Sequence, residues 1–130
     1  MKKVLFVCVE NSCRSQMAEA FAKIHGKNVL EAYSAGSHAS RKVNDKAIKS
    51  MLEIDYDLRT HKSKTLNEIP DIEYDFAITM GCGDECPYVR AKQRLDFAIP
   101  DQKNMNELDF NEVRSVIEKK VLFLINQMSE

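Results

Sequence analysis

Residues 3–15, KVLFVCVENSCRS, constrain the fold more than any other stretch. Val4 to Val9 is continuously apolar and rich in β-branched and aromatic residues. Such a run, Lys3 to Val9, suits a strand buried on both faces. A short polar loop follows, and Ser15 then opens a helical period in which Met17, Ala20, Phe21 and Ile24 recur on one face. Gly26 ends it. A buried strand that turns directly into an amphipathic helix is the first half of a β-α-β unit, so a parallel sheet is expected.

The remaining chain continues the alternation. Val29–Ser34 reads as a second strand, ended by Ala35-Gly36, and Asn44 is placed to cap a helix with Ala47, Ile48, Met51 and Leu52 on its apolar side. A short helical turn is expected within residues 63–69, a third strand over Tyr74–Met80, and a fourth over Arg94–Ile99 before Pro100. Val113, Val116, Ile117, Val121, Leu124 and Met128 mark a long final helix. The expected architecture is a single α/β domain over residues 1–130, with a four-stranded parallel sheet and helices on both faces. Ligands of such sheets bind beyond the carboxyl ends of the strands. The loops carrying Cys8, Cys82 and Asp101 all follow strands and should meet there.

Composition narrows the function. A net charge of -1 supplies no global basic field, which argues against nucleic acid as partner. No apolar stretch approaches the roughly 20 residues of a membrane span. Glu10, Asn11 and Arg14 cut the first apolar run too early for a secretory signal, so a cytoplasmic protein is expected, and a monomer. Thiols in that compartment are kept reduced, and close cysteine pairs there serve catalysis or metal binding more often than structure.

Cys8 to Arg14 spells C-x5-R on a strand-to-helix loop. Backbone N–H groups and the helix start favour a tetrahedral anion there and favour the thiolate form of Cys8. Arg14 brings a planar fork for two anion oxygens. Ser15 is placed to donate to the thiolate, and Asn11 tolerates the left-handed backbone of a tight loop. Glu10, Asn11, Ser12, Cys13 and Arg14 thus form the expected oxyanion cradle. Cys13 reads mainly as a core residue at the helix start. A four-thiolate zinc module built from Cys8, Cys13, Cys82 and Cys86 is the non-enzymatic alternative, which Arg14 disfavours. His25, His38 and His61 are expected at the surface or in loops.

CVENSCRSQMAEAF and the SAG at residues 34–36 resemble the low-molecular-weight tyrosine phosphatase family, and more narrowly the arsenate reductases built on that fold. The likeness runs from the first strand to the last helix. It implies Cys8 as nucleophile, Arg14 as oxyanion clamp and Ser15 as thiolate stabiliser. It places the general acid at Asp101, with Asp96 as the competitor. It also offers Asn11, Glu19 and Ser34 as potassium candidates, with Glu19 alternatively holding the loop; Lys64 stands where an acidic residue is usual and can substitute for the ion, so no bound metal is expected. Glu10 replaces a common glycine, and Gln102 a common proline.

A phosphatase acting through a phosphocysteine needs no further thiol, whereas a reductase must supply two electrons. GCGDECP provides Cys82 and Cys86, with Gly81 and Gly83 freeing the backbone beside Cys82. The relay expected is attack of Cys8 on arsenate, of Cys82 on Cys8, and of Cys86 on Cys82. The Cys82–Cys86 disulfide is then reopened by thioredoxin, or by a small thiol with glutaredoxin. No bound cofactor is expected. Phosphate or sulfate would occupy the same anion site. Residues 101–105, DQKNM, lack the aromatic wall that grips a phenol ring, which favours the reductase over the phosphatase.

Overall fold

The computed structural model describes residues 1–83, 86–102 and 104–128. Four strands, β1 (Lys2–Cys8), β2 (Leu30–Gly36), β3 (Tyr74–Thr79) and β4 (Ala91–Asp96), pair in the order β2-β1-β3-β4. Every pairing is parallel. Three α-helices accompany them: α1 (Arg14–His25), α2 (Asp45–Leu52) and α3 (Glu107–Met128). Two short 3-10 turns lie at Leu58–Thr60 and Leu66–Glu68.

Alternation along β1 divides the core. Val4 and Phe6 face a cluster that includes Met17 and Phe21 of α1, Ala47 and Met51 of α2, and Ile117 and Val121 of α3. Leu5 and Val7 face the opposite side, with Ala35, Tyr74 and Ala77. Leu66, Ile69 and Ile72 pack over that second layer, so its helical cover is the short turn Leu66–Glu68. Both faces of β1 are therefore dry, which is why its sequence shows a continuous apolar run.

The helix signals hold with small shifts. Asn44 caps α2, its side chain accepting from the Lys46 amide at 2.8 Å. Gly26 ends α1, whose first residue is Arg14. Ile24, Leu52 and Val116 lie at the rims of their apolar faces and are exposed. The fourth strand differs more. It spans Ala91–Asp96 and not Arg94–Ile99, because β4 is an edge strand whose side chains after Ala91 are exposed. The apolar Phe97 and Ile99 fold inward as the loop beyond it, with Ala98 turning at φ 52°.

The strand order places the site. From β1 the chain moves outward to β2, then crosses back past β1 to β3. The carboxyl end of β1 is the switch point, and Cys8 is its last residue. Gly36 pairs with Cys8 at the end of the β1–β2 ladder. A Cβ on Gly36 would overlap the Val9 carbonyl and crowd the Asn11 amide, so this close approach excludes any side chain. Gly36→Ala should therefore cost about 1–3 kcal/mol by overpacking, read as a lower urea midpoint with an unchanged slope.

Candidate active site

The loop from Cys8 to Arg14 is held from outside. Cys8 O accepts from Ser37 N at 3.3 Å, Val9 O from His38 N at 2.8 Å, Glu10 O from Ser40 N at 3.0 Å and Ser12 O from Asn44 N at 3.0 Å. Asn11 O accepts from Gln16 Nε2 at 3.0 Å, and Cys13 O from Met17 N at 2.9 Å. Ser63 Oγ adds a second bond to Glu10 O at 2.9 Å. Every carbonyl from Cys8 to Cys13 is thereby engaged by groups outside the loop. Asn11 takes the left-handed conformation, φ 53°, that the loop reverses through.

A cavity of about 590 Å³ opens above the loop. Cys8, Glu10, Ser12, Cys13 and Arg14 line it from one side, and Cys82 and Asp101 from the others. Asn11 is fully buried and does not line the cavity. It stands behind the loop and acts on the sulfur: its backbone N–H donates to Cys8 Sγ at 3.2 Å. Ser15 Oγ lies 2.9 Å from the same sulfur.

Arg14 joins the three loops. Its Nη1 donates to Met80 O at 2.8 Å and Ile99 O at 3.0 Å, where the chain leaves β3 and β4. A guanidinium has five donors, so both bonds are compatible with an anion on the remaining N–H groups. Asp101 follows Ile99 by two residues and reaches the cavity. Asp96 does not: its Oδ1 accepts from Thr79 Oγ1 at 2.9 Å and from Gly81 N at 2.8 Å, which ties it to the end of β3. Gln102 is buried, and its Nε2 donates to Phe110 O at 3.2 Å, anchoring the Asp101 loop to α3.

Cys13 is buried, and burial pushes its thiol up to about 12, with Asp101 and Cys8 adding to the rise. It stays protonated, as suits a core residue. Cys82 and Cys86 are joined by a disulfide with a Cα–Cα separation of 5.3 Å, within the usual range for such a bond. Gly81, at φ 93°, and Gly83, at φ 60°, flank Cys82 in the left-handed region. Asp84, Glu85 and Lys103, in the same loops, lie outside the described residues.

A second layer sits beneath the loop, and it adds to the sequence reading of His61. His61 belongs to a loop, but its side chain is only 2% exposed. Burial pulls it down to about 4, against the weaker upward pull of Glu19. Glu19 is itself buried, which pushes its carboxyl up; His61, Lys23, Ser34 and Lys64 together outweigh that and leave it lowered. Lys23 Nζ is 2.6 Å from Glu19 Oε2, Lys64 Nζ is 3.7 Å from Oε1, and Ser34 donates to Oε1. Lys64 N also donates to Asn11 Oδ1 at 2.8 Å. Asn11, Glu19 and Ser34 thus form one neighbourhood whose positive charge comes from two lysines. Among the described residues no group of His, Cys, Asp and Glu is arranged to hold a metal ion, and no helix is long and apolar enough to cross a membrane.

Gln16 Nε2 donates to Asn11 Oδ1 at 2.8 Å, Gln16 Oε1 lies 2.9 Å from His61 Nδ1, and His61 Nε2 lies 2.6 Å from Tyr56 Oη. No motif or spacing in the sequence links these residues to Cys8. Only the fold brings them together.

A thiol at the floor of a strand-to-helix cradle, at the switch point of a β2-β1-β3-β4 sheet, defines a phosphatase-like α/β protein. The chain belongs to the low molecular weight phosphotyrosine protein phosphatase family, whose model matches residues 3–130. A glutaredoxin arsenate reductase of Synechocystis sp. (strain ATCC 27184 / PCC 6803 / Kazusa) is 36% identical over 132 residues, covering 99% of this chain and 100% of the relative. An arsenate reductase solved in the phosphate-binding state superposes with a TM-score of 0.88 at 36% identity, covering 98% of this chain and 99% of that one. A thioredoxin-dependent arsenate reductase of Corynebacterium glutamicum superposes with a TM-score of 0.79 at 26% identity, covering 99% of this chain and 62% of that one.

The lower layer makes stability depend on pH. An unfolded chain protonates His61 near its ordinary 6.5, whereas the folded chain resists until about 4. Between those values the unfolded state holds more protons, so the stabilisation present above pH 6.5 is lost as the pH falls toward 4. The lowered Glu19 carboxyl extends the same trend further down. Urea midpoints should fall across this window in the wild type and fall less in His61→Gln.

Proposed function

We propose that this chain reduces arsenate to arsenite by a cysteine relay. The observation that carries the reading is the Cys82–Cys86 disulfide on a loop whose Cys82 lines the same cavity as Cys8. A hydrolase of this fold needs one thiol, and a two-electron reductase needs the further pair.

Arsenate enters the cradle as a tetrahedral anion. With the loop carbonyls engaged elsewhere, amide N–H groups and Arg14 are donors that hold it. Cys8 thiolate, steadied by Ser15 O–H and Asn11 N–H, attacks arsenic. Asp101 gives a proton to the departing oxygen. Cys82 thiolate then attacks Cys8 Sγ; the As–S bond breaks, its electron pair stays on arsenic, and arsenite leaves. Cys86 attacks Cys82, freeing Cys8 as a thiolate and closing Cys82–Cys86. An external dithiol, thioredoxin, takes that disulfide and returns both thiols. Glutaredoxin with a small thiol is the second reading of the reductant, favoured by the activity named for the Synechocystis relative.

Cys86→Ser should make one arsenite per enzyme and stop at a Cys8–Cys82 disulfide, while wild type turns over with thioredoxin, thioredoxin reductase and NADPH. Turnover with glutaredoxin and glutathione alone would transfer the reductant role. Hydrolysis of an aryl phosphate without arsenite formation would overturn the reductase reading. Asp101→Asn should lower kcat by about 10²-fold, as loss of a general acid does. The ammonium groups of Lys23 and Lys64 serve Glu19 in place of a bound potassium, so turnover should be equal in potassium and sodium chloride.

A further inference from the structure

The two sulfurs of the disulfide border different cavities. Cys82 lines the cavity that holds Cys8, and Cys86 does not. Cys86 lines a separate groove of about 510 Å³, and Cys82 does not. Val7 of β1 and Ala77 of β3, both buried, form the floor of this groove. Tyr88, from the loop after Cys86, and Arg94 and Asp96, from β4, stand in its walls.

The groove carries a fixed cation. Arg94 Nη2 donates to Tyr88 Oη at 2.8 Å and to Val89 O at 3.0 Å, and the guanidinium carbon lies 4.7 Å from the centre of the Tyr88 ring. The residues just after Cys86 thus hold the fork in place. Among the described residues no carboxylate forms an ion pair with Arg94, and its Nε and Nη1 make no hydrogen bond. Asp96 is the other charged group of the groove, and its Oδ1 is held by Thr79 Oγ1 and Gly81 N. Arg94 and Asp96 are two residues apart on one strand, so they share a face. A ligand carboxylate at the Arg94 fork and a ligand ammonium at Asp96 Oδ2 match this pair of charges. That combination is the zwitterion of an amino acid.

We propose that the groove binds a small thiol carrying an amino-acid zwitterion, with Arg94 on its carboxylate, and presents the thiol to Cys86. The proposal rests on the Cys82–Cys86 disulfide being the end of the relay. Disulfide exchange runs in line through the attacking, attacked and leaving sulfurs. A thiolate in the groove meets Cys86, so Cys82 is the leaving sulfur and is released on the Cys8 side. The Sγ–Sγ bond breaks, its electron pair stays on Cys82, and the ligand is left joined to Cys86. A second equivalent of the thiol attacks the ligand's sulfur. Cys86 leaves as a thiolate, and two small thiols have become one small disulfide. The two protons pass through solvent to Cys82 and Cys86. Arg94 is a specificity residue in this scheme and takes no part in the exchange of bonds.

The test is opening of the oxidised protein by reduced glutathione, with mercaptoethanol as a thiol that lacks both charges, read by acid quench and peptide mass. The glutathione rate should saturate with concentration, and the mercaptoethanol rate should rise linearly. Arg94→Gln should lower the glutathione rate at low concentration about tenfold, the scale of one lost charge-assisted hydrogen bond. It should leave the mercaptoethanol rate unchanged, which also reports an intact fold. The first mixed disulfide should be on Cys86. A linear glutathione rate, an equal loss with both thiols, or glutathione on Cys82 overturns the proposal. Reduction by thioredoxin that Arg94→Gln slows, with the glutathione rate unmoved, assigns the groove to a protein partner and overturns it as well. These rates are read without arsenate, so the relay is judged separately: if the reduced protein makes no arsenite from arsenate in a single turnover, it is the relay that fails.

Discussion

Six consecutive carbonyls, Cys8 through Cys13, are bound from outside their own loop, and the rest of the molecule is arranged around that fact. A carbonyl facing the cavity would repel an oxyanion and leave the loop free to relax. The segment from Ser37 to Asn44, which continues beyond β2 as irregular chain, binds four of them, and Gln16 and Met17 of α1 bind the other two. Gly36 is the hinge of this device, because only a residue without Cβ lets β2 pass so near Val9 and Asn11.

Arg14 performs the complementary task on the other side. Its bonds to Met80 O and Ile99 O draw the exits of β3 and β4 against the cradle. A residue suited to hold an anion thus also assembles the walls of the cavity. Moving Arg14 would loosen the loops that carry Cys82 and Asp101, so the cradle and both loops share one mechanical anchor. The Gln102–Phe110 bond gives the Asp101 side a second one on α3.

Beneath the loop lies a polar layer that a hydrophobic reading of α1 does not foresee. Ser15 and Gln16 are as buried as Met17 and Phe21, and Glu19 is buried beside them. They are tolerated because their polar atoms find partners: Gln16 bonds to Asn11, Lys62 and His61, and Glu19 meets Ser34, Lys23 and Lys64. A half-satisfied layer of this kind would cost more than an apolar one. Helix α1 is therefore buried on an apolar side and a polar side, which explains its weak amphipathic pattern.

By itself the sequence determined the strand and helix alternation, the C-x5-R cradle at a strand end, the Asn44 cap and the left-handed Asn11. These are properties of adjacent residues: periodicity, capping and loop chemistry act over one or two turns. It misplaced β4, because an edge strand whose side chains after Ala91 are all exposed lacks the apolar run that identifies its neighbours, while Phe97 and Ile99 imitate one. Tertiary structure alone decided that Asp96 is tied to the end of β3 while Asp101 reaches the cavity. It alone buried His61 beside Gln16 and set two lysines on Glu19. Tyr56 and Gln16 are far apart along the chain, and only closure of the fold over α1 brings both to His61.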